Sequence, residues 1–234
     1  LMPYIKRFVS SREFINNEIK WCFWLSNISP SILKKSNVLL NVIKNVKEFR
    51  ESSNRSNTKK MAQFPLEYGE QRQPKSNFLL IPKVSSKNRN YIPIGYMDVT
   101  NIITDKVFAL PNANLYAFGV LNSLFHMVWV KNTAGRLKSD YSYSNTIVYN
   151  NFPWPNITSS EKIVKVETKA QKILDVREEF SESNLADLYH KLTMPSKLIK
   201  AHQELDKAVD LCYRSNPFNN DEERIQFLFD SYVK

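Results

Sequence analysis

The chain has 234 residues, with 33 Lys and Arg against 23 Asp and Glu for a net charge of +10, and 42% of its residues are hydrophobic. That length supports one large domain or two small ones, and the composition excludes wholesale disorder. Its four glycines (Gly69, Gly95, Gly119, Gly135) stand singly, which excludes the grouped glycines by which dinucleotide folds and P-loops approach phosphate.

Residues 1–25 alternate apolar and polar groups through Tyr4, Ile5, Phe8, Val9, Phe14, Ile15, Trp21, Phe23 and Leu25, which predicts strands joined by a turn at Asn16-Asn17. Ser29-Pro30 opens a predicted helix running to about Arg50, with Leu33, Val38, Leu39, Val42, Ile43 and Val46 at near-helical spacing. From Glu51 to Ser76 the chain turns polar and basic, as a long loop or a partly helical arm. Strands are predicted at 77–82, 91–97 and 107–110, with the polar run 85–90 as a hairpin loop between the first two. From Ala113 to about Asn132 the pattern is helical and apolar nearly all round, the mark of a central buried helix. Residues 141–149 read as extended chain.

Asn151-Phe152-Pro153-Trp154-Pro155 stops regular structure and coincides with a change in charge. Before Asn156 there are 21 Lys and Arg against 9 Asp and Glu, a balance of +12; from Asn156 onward there are 12 against 14, a balance of −2. The surplus therefore sits in the front part, either because that part meets a polyanion or because it is simply a solvated basic surface. Three helical stripes follow: Ile163, Val166, Ala170, Ile173 and Leu174; then Leu198, Ala201, Leu205, Ala208, Val209 and Cys212; then Ile225, Leu228, Phe229 and Tyr232 behind the capping run Asn220-Asp221-Glu222-Glu223. The expected fold class is α+β: a mixed domain over residues 1–155 followed by a small all-helical unit over 156–234.

Catalytic signatures are missing. The chain has no Gly-x-Ser-x-Gly elbow, His-Glu-x-x-His or Cys-x-x-Cys. Glu18-Ile19-Lys20 has nuclease-like spacing without a preceding Asp. Asn151-Phe152-Pro153-Trp154 carries Phe where base-flipping amino-methyltransferases need Pro, so it is rejected as a base-holding motif. Cys22 and Cys212 are read as buried small side chains of a reducing compartment, and His126, His190 and His202 as structural groups with no metal implied. No apolar run reaches the roughly 18 residues of a membrane span and Leu1–Arg7 lacks a signal-peptide core, so a cytoplasmic protein is expected. Two binding features remain. Lys83, Lys87 and Arg89 flank the Ser-rich loop with Ser85 and Ser86. Arg136, Lys138, Asp140 and Ser142 follow Gly135 at intervals of two, which on an extended chain places all four on one face. Such side chains suit base edges, or they form a solvated strand face.

Several segments together resemble one family. Arg7-Phe8-Val9-Ser10-Ser11-Arg12-Glu13-Phe14-Ile15, Ile81-Pro82-Lys83-Val84-Ser85-Ser86 with Tyr91-Ile92-Pro93-Ile94-Gly95, Gly135-Arg136-Leu137 with Tyr143-Ser144-Asn145-Thr146, and Asn151–Pro155 are similar to the target-recognition domain of MmeI-like single-chain restriction–modification methyltransferases. Leu185–Tyr189, Thr193-Met194-Pro195 and 200–210 resemble the helical C-terminal domain of the same family. The resemblance covers essentially the whole chain and implies a C-terminal piece of a longer protein. It implies a DNA sequence-recognition module of an adenine-N6 methyltransferase, itself non-catalytic and free of cofactor. S-adenosylmethionine would belong to the methyltransferase domain that precedes it in the family. Double-stranded DNA and that domain are the implied partners. Lys138 and Asp140 match the pair that sets one base of the site, with Ser142 beside them; Lys83, Ser85, Ser86, Lys87, Arg89 and Arg136 are expected at the DNA backbone. A structural or assembly module that binds RNA or protein is the alternative.

Overall fold

A computed structural model describes residues 1–156 and 159–232. Ile5–Val9 forms β1, Ser11–Ile15 forms α1, and Trp21–Phe23 returns antiparallel to β1 as β2. The expected turn at Asn16-Asn17 is there, with Asn17 at φ 54°, but a helix precedes it. Its cause is a capping box: the Ser10 hydroxyl accepts the Arg12 N–H at 3.2 Å, and the Glu13 carboxylate accepts the Ser10 N–H at 2.9 Å. The helix expected from Pro30 to Arg50 is two, Pro30–Lys34 (α2) and Asn37–Glu51 (α3), because Ser36 takes the N-cap of the second. The basic arm holds Ser56–Lys60 (α4). Arg50 folds the arm back by donating to the carbonyls of Met61 at 2.9 Å, Phe64 at 2.8 Å and Glu67 at 2.6 Å.

Phe78–Pro82 (β3), Val84–Ser85 (β4), Gly95–Met97 (β5), Ile102–Ile103 (β6) and Val107–Pro111 (β7) follow. β3 is buried at every position and lies between β5 and β7 in an antiparallel sheet, while β6 joins β1 in parallel. Of the strand expected over 91–97 only the last three residues pair; Pro93 has no N–H to give a ladder, and Tyr91, Ile92 and Ile94 are buried in the core instead. The central helix is broken into Leu115–Leu121 (α5) and Leu124–Thr133 (α6), where Ser123 caps α6 and Asn122 Nδ2 turns back onto the Phe118 carbonyl at 2.9 Å. Both are buried as expected. Gly135–Leu137 (β8) and Asp140–Ser142 (β9) complete a third sheet with β4, and Asn145–Tyr149 is a π-helical turn rather than extended chain.

Beyond the prolines come Ser160–Glu178 (α7), Leu185–Leu188 (α8), Ser196–Tyr213 (α9) and Asp221–Tyr232 (α10). The stripes on α7 and α9 are buried through Val166, Ala170, Ile173, Leu198, Leu205 and Val209. On α10 only Leu228 of the expected stripe is buried, while Phe229 and Tyr232 lie largely exposed against the Trp129 ring. Cys212 is buried as expected, but Cys22 is only half-buried.

One core crosses the chain from front to back: Leu79, Ile81, Ile94, Phe118 and Trp129 cluster with Val166, Ile173, Leu198, Leu205 and Val209. Gly119 lets the two halves close. A Cβ there would stand 2.8 Å from Val166 Cγ1, 3.1 Å from Ala170 Cβ and 3.3 Å from Leu205 Cδ1. Gly119→Val should cost about 1–3 kcal/mol by overpacking, despite Gly being a poor helix former. A thermal melt checks it; an unchanged midpoint would mean that α5 does not touch α7.

A polar seam runs through the same contact. Arg177 on α7 donates to the Ile94 carbonyl at 2.7 Å, to Tyr189 Oη at 2.8 Å and to Asn122 Oδ1 at 3.2 Å. Asp206 on α9 accepts from Tyr91 Oη at 2.6 Å and from the Leu124 N–H at 2.7 Å. Burial outweighs these bonds and pushes the Asp206 carboxyl up to about 7. A carboxyl raised in the folded state keeps its proton where the unfolded chain has released it, so the charged form erodes stability as pH rises from the ordinary carboxylate range toward 7. Asp206→Asn, which mimics the protonated form, should gain on the native chain by roughly 2–4 kcal/mol between pH 4 and pH 8. Denaturant titrations at the two pH values test it, and a constant difference would contradict it.

Candidate nucleic-acid interface

The register Leu137↔Asp140 leaves Lys138-Ser139 as a two-residue hairpin turn, with Lys138 at φ 56°. The expectation that Arg136, Lys138, Asp140 and Ser142 share one face of an extended strand is therefore corrected. Period-two alternation holds only while the chain runs straight, and here it reverses between the second and third of these residues. Residues directly opposite each other share a face, so Arg136 goes with Tyr141, and its guanidinium lies 4.0 Å over that ring. Asp140 goes with Leu137, and Ser142 with Gly135, on the other side. Lys138 stands exposed at the tip, beside the 57% exposed Leu137.

β4 lies along β9, with Ser85 opposite Tyr141 and Val84 opposite Ser142. Ser85 is 2% exposed and its hydroxyl has no partner, so the fold takes this expected backbone contact off the surface. The loop after it is ordered from within: the Ser86 hydroxyl accepts the Asn88 N–H at 3.2 Å, and the Ser86 carbonyl accepts the Arg89 N–H at 3.2 Å. It is also tied to the hairpin, because Asp140 Oδ1 accepts the Lys87 N–H at 3.2 Å. The Lys87 ammonium is exposed. Arg89 is half-buried; desolvation lowers the pKa of its guanidinium, the Asp140 charge opposes that, and its Nε has no partner. Lys83 is drawn away from this group, with Nζ 4.5 Å over the Phe108 ring. There it borders a groove of about 510 Å³ lined by Phe8, Trp24, Tyr68, Arg72 and Phe108. The sequence reading missed this groove, whose walls come from distant segments with no local signal in common.

The structure thus brings together Lys138, Asp140, Lys87, Ser86 and Arg89, places Arg136 and Ser142 on opposite faces of the hairpin, and separates Lys83 and Ser85 from the rest. The arrangement offers solvent a tip with a donor-only and an acceptor-only side chain two residues apart, flanked by cations. Asn151, by contrast, spends its amide on the carbonyls of Thr146 at 3.0 Å and Ile147 at 3.1 Å, and Phe152 is buried edge-on to Trp154. The Asn-Phe-Pro-Trp run is a structural closure. Among the described residues no cluster of three or more His, Cys, Asp and Glu could hold a metal, and no helix is long and apolar enough to cross a membrane. His126 and His202 are buried, each bonded to a tyrosine hydroxyl at 2.9 Å.

Fold and site define an α+β module with a projecting basic hairpin, braced by a helical bundle. The family models that match are the MmeI target recognition domain over residues 2–156 and the MmeI C-terminal domain over 158–234, and the chain belongs to that family. It is 38% identical over 232 residues to DNA methyltransferase A of Bacillus subtilis (strain 168), which covers 99% of this chain and 26% of the relative. It superposes with a TM-score of 0.94 and 41% identity on the type IIL restriction-modification enzyme MmeI solved in complex with DNA, covering 99% of this chain and 31% of that one. The chain spans between a quarter and a third of the length of these relatives.

Proposed function

We propose that this chain is the double-stranded DNA sequence-recognition module of an adenine-N6 methyltransferase of the restriction–modification kind, working in the cytoplasm. The observation that carries the reading is the hairpin tip: Lys138 and Asp140 two residues apart, with the Lys87 loop bonded to Asp140. Lysine has only donors and suits the O6 and N7 acceptors of guanine; an ionised aspartate only accepts and suits the N4 amino group of cytosine. Together they span one G·C pair. Ser142 stands two residues further along β9 toward a neighbouring pair. Lys87, Ser86, Arg89, Arg136 and, from the groove edge, Lys83 meet phosphates and fix register without reading sequence. Binding of S-adenosylmethionine and methyl transfer belong to a catalytic domain elsewhere in the protein, which is the module's second partner. Sequence recognition by this chain is tested by duplex binding at several salt concentrations. A duplex carrying the methylation site should bind more tightly than a random duplex at every salt, and equal affinities would contradict the reading. Calorimetry with S-adenosylmethionine on residues 1–234 should show no binding heat.

A further inference from the structure

The loop that brings Lys87 to the hairpin is held on its other side by the C-terminal helical unit. Arg89 and His190 form an antiparallel bridge, and the Lys191 N–H donates to the Asn88 carbonyl at 3.0 Å. The turn that reaches across is closed on itself. The N–H groups of Thr193 and Met194 donate to the His190 carbonyl at 2.9 Å, Leu192 N–H to His190 Nδ1 at 3.3 Å, and Thr193 Oγ1 to the Asp187 carbonyl at 2.6 Å. Tyr189 and Met194 at its feet are buried. On this anchored turn Leu192 is 81% exposed, the most exposed large hydrophobic side chain among the described residues, and the exposed Lys191 precedes it.

A lone exposed leucine needs no explanation. What distinguishes this one is continuity: a run of hydrogen bonds leads from the hairpin through Asp140 and Lys87 to Asn88 and on to Lys191. The segments it joins carry five cations, Arg136, Lys138, Lys87, Arg89 and Lys191, against the two carboxylates of Asp140 and Asp187. The surface stays cationic as it passes from the recognition domain into a helical unit whose overall balance is negative.

We propose that the 190–193 turn belongs to the DNA interface, with the Lys191 ammonium on a backbone phosphate and the Leu192 side chain against the 5-methyl group of a thymine near the pair read by the hairpin. This rests on the hairpin reading above. The helical unit then does more than brace the recognition domain; it adds one phosphate contact and one apolar contact of its own.

The test uses the full-length protein carrying Leu192→Cys or, as a control, Leu137→Cys, with maleimide labelling read peptide by peptide by mass spectrometry, with and without a duplex containing the methylation site. Both cysteines should label severalfold more slowly with DNA, and Lys191→Ala should make the slope of log K against log salt shallower by about 0.9. Replacing thymine by uracil at each position near the site in turn should weaken the native protein at one of them and leave Leu192→Cys unaffected there. Protection of Leu137→Cys with none at Leu192→Cys would overturn the inference and leave the hairpin reading standing. Protection of neither would overturn the hairpin reading itself. Protection of Leu192→Cys without DNA would mean that another part of the protein covers the turn, which also overturns the inference.

Discussion

Exchanging donor and acceptor at the hairpin tip, Lys138→Glu with Asp140→Arg in the full-length protein, should turn the required base at one position of the methylated sequence from guanine to cytosine. The chemistry allows little else. Glutamate accepts only and arginine donates only, so the groups that matched guanine and its partner cytosine now match the same pair reversed. The backbone tolerates the swap at the tip, because glutamate inherits the positive φ of Lys138 without adding to its strain. A side effect is expected at Asp140, whose carboxylate also accepts the Lys87 N–H. Its loss should weaken binding to all sequences by about 0.5–1.5 kcal/mol while the base preference inverts. Lys138→Ala alone should lose roughly 1–3 kcal/mol of discrimination at this position and leave the others intact. Mapping the methylated sites for native and doubly substituted proteins decides the matter. Identical site sets would reduce the hairpin to a solvated tip.

Removing the helical unit should be the most damaging change to stability. Truncation after Asn156 strips Val166, Ile173, Val176, Leu198, Leu205, Val209 and Leu228 from a core they share with Phe118, Leu121 and Trp129. At roughly 1.5–3 kcal/mol for each large buried side chain, the loss is on the order of 10–20 kcal/mol, which matches or exceeds the whole stability of an ordinary domain. It also leaves the Ile94 carbonyl and Asn122 without Arg177, and the Leu124 N–H without Asp206. Residues 1–156 alone should show no cooperative melt and should self-associate on a sizing column. A soluble fragment melting at the temperature of the intact chain would make the helical unit independent.

What was legible in the sequence depended on how locally each feature is determined. The stripes on α7 and α9 are written at helical spacing and were read correctly, and the buried helical run before Asn132 likewise. Its break at Asn122-Ser123 and the break at Ser36 were missed because a capping serine inside an apolar run looks like one polar residue on a continuous helix. The capping box of α1 was present as Ser10-Ser11-Arg12-Glu13 but was overridden by the alternation around it. The hairpin was missed for a different reason: its turn puts Lys138, not Gly or Asn, at the position of positive φ, so the usual punctuation is absent. The site residues stand out by charge and two-residue spacing, the family resemblance supplies their roles, and spacing alone misplaces Arg136 relative to Asp140. The burial of Ser85 and the lodging of Lys83 over Phe108 depend on partners 56 and 25 residues away, Tyr141 and Phe108, and no local pattern announces them.

If sequence choice resides in this chain, a graft should carry it to another protein. Residues 1–234 would be joined to the remaining part of the Bacillus subtilis relative in place of its own matching segment, and the methylated sites of the chimaera mapped against both parents. The methylated sequence should be that of the protein which donated residues 1–234. A chimaera that keeps the relative's own methylation sites would place sequence choice outside residues 1–234.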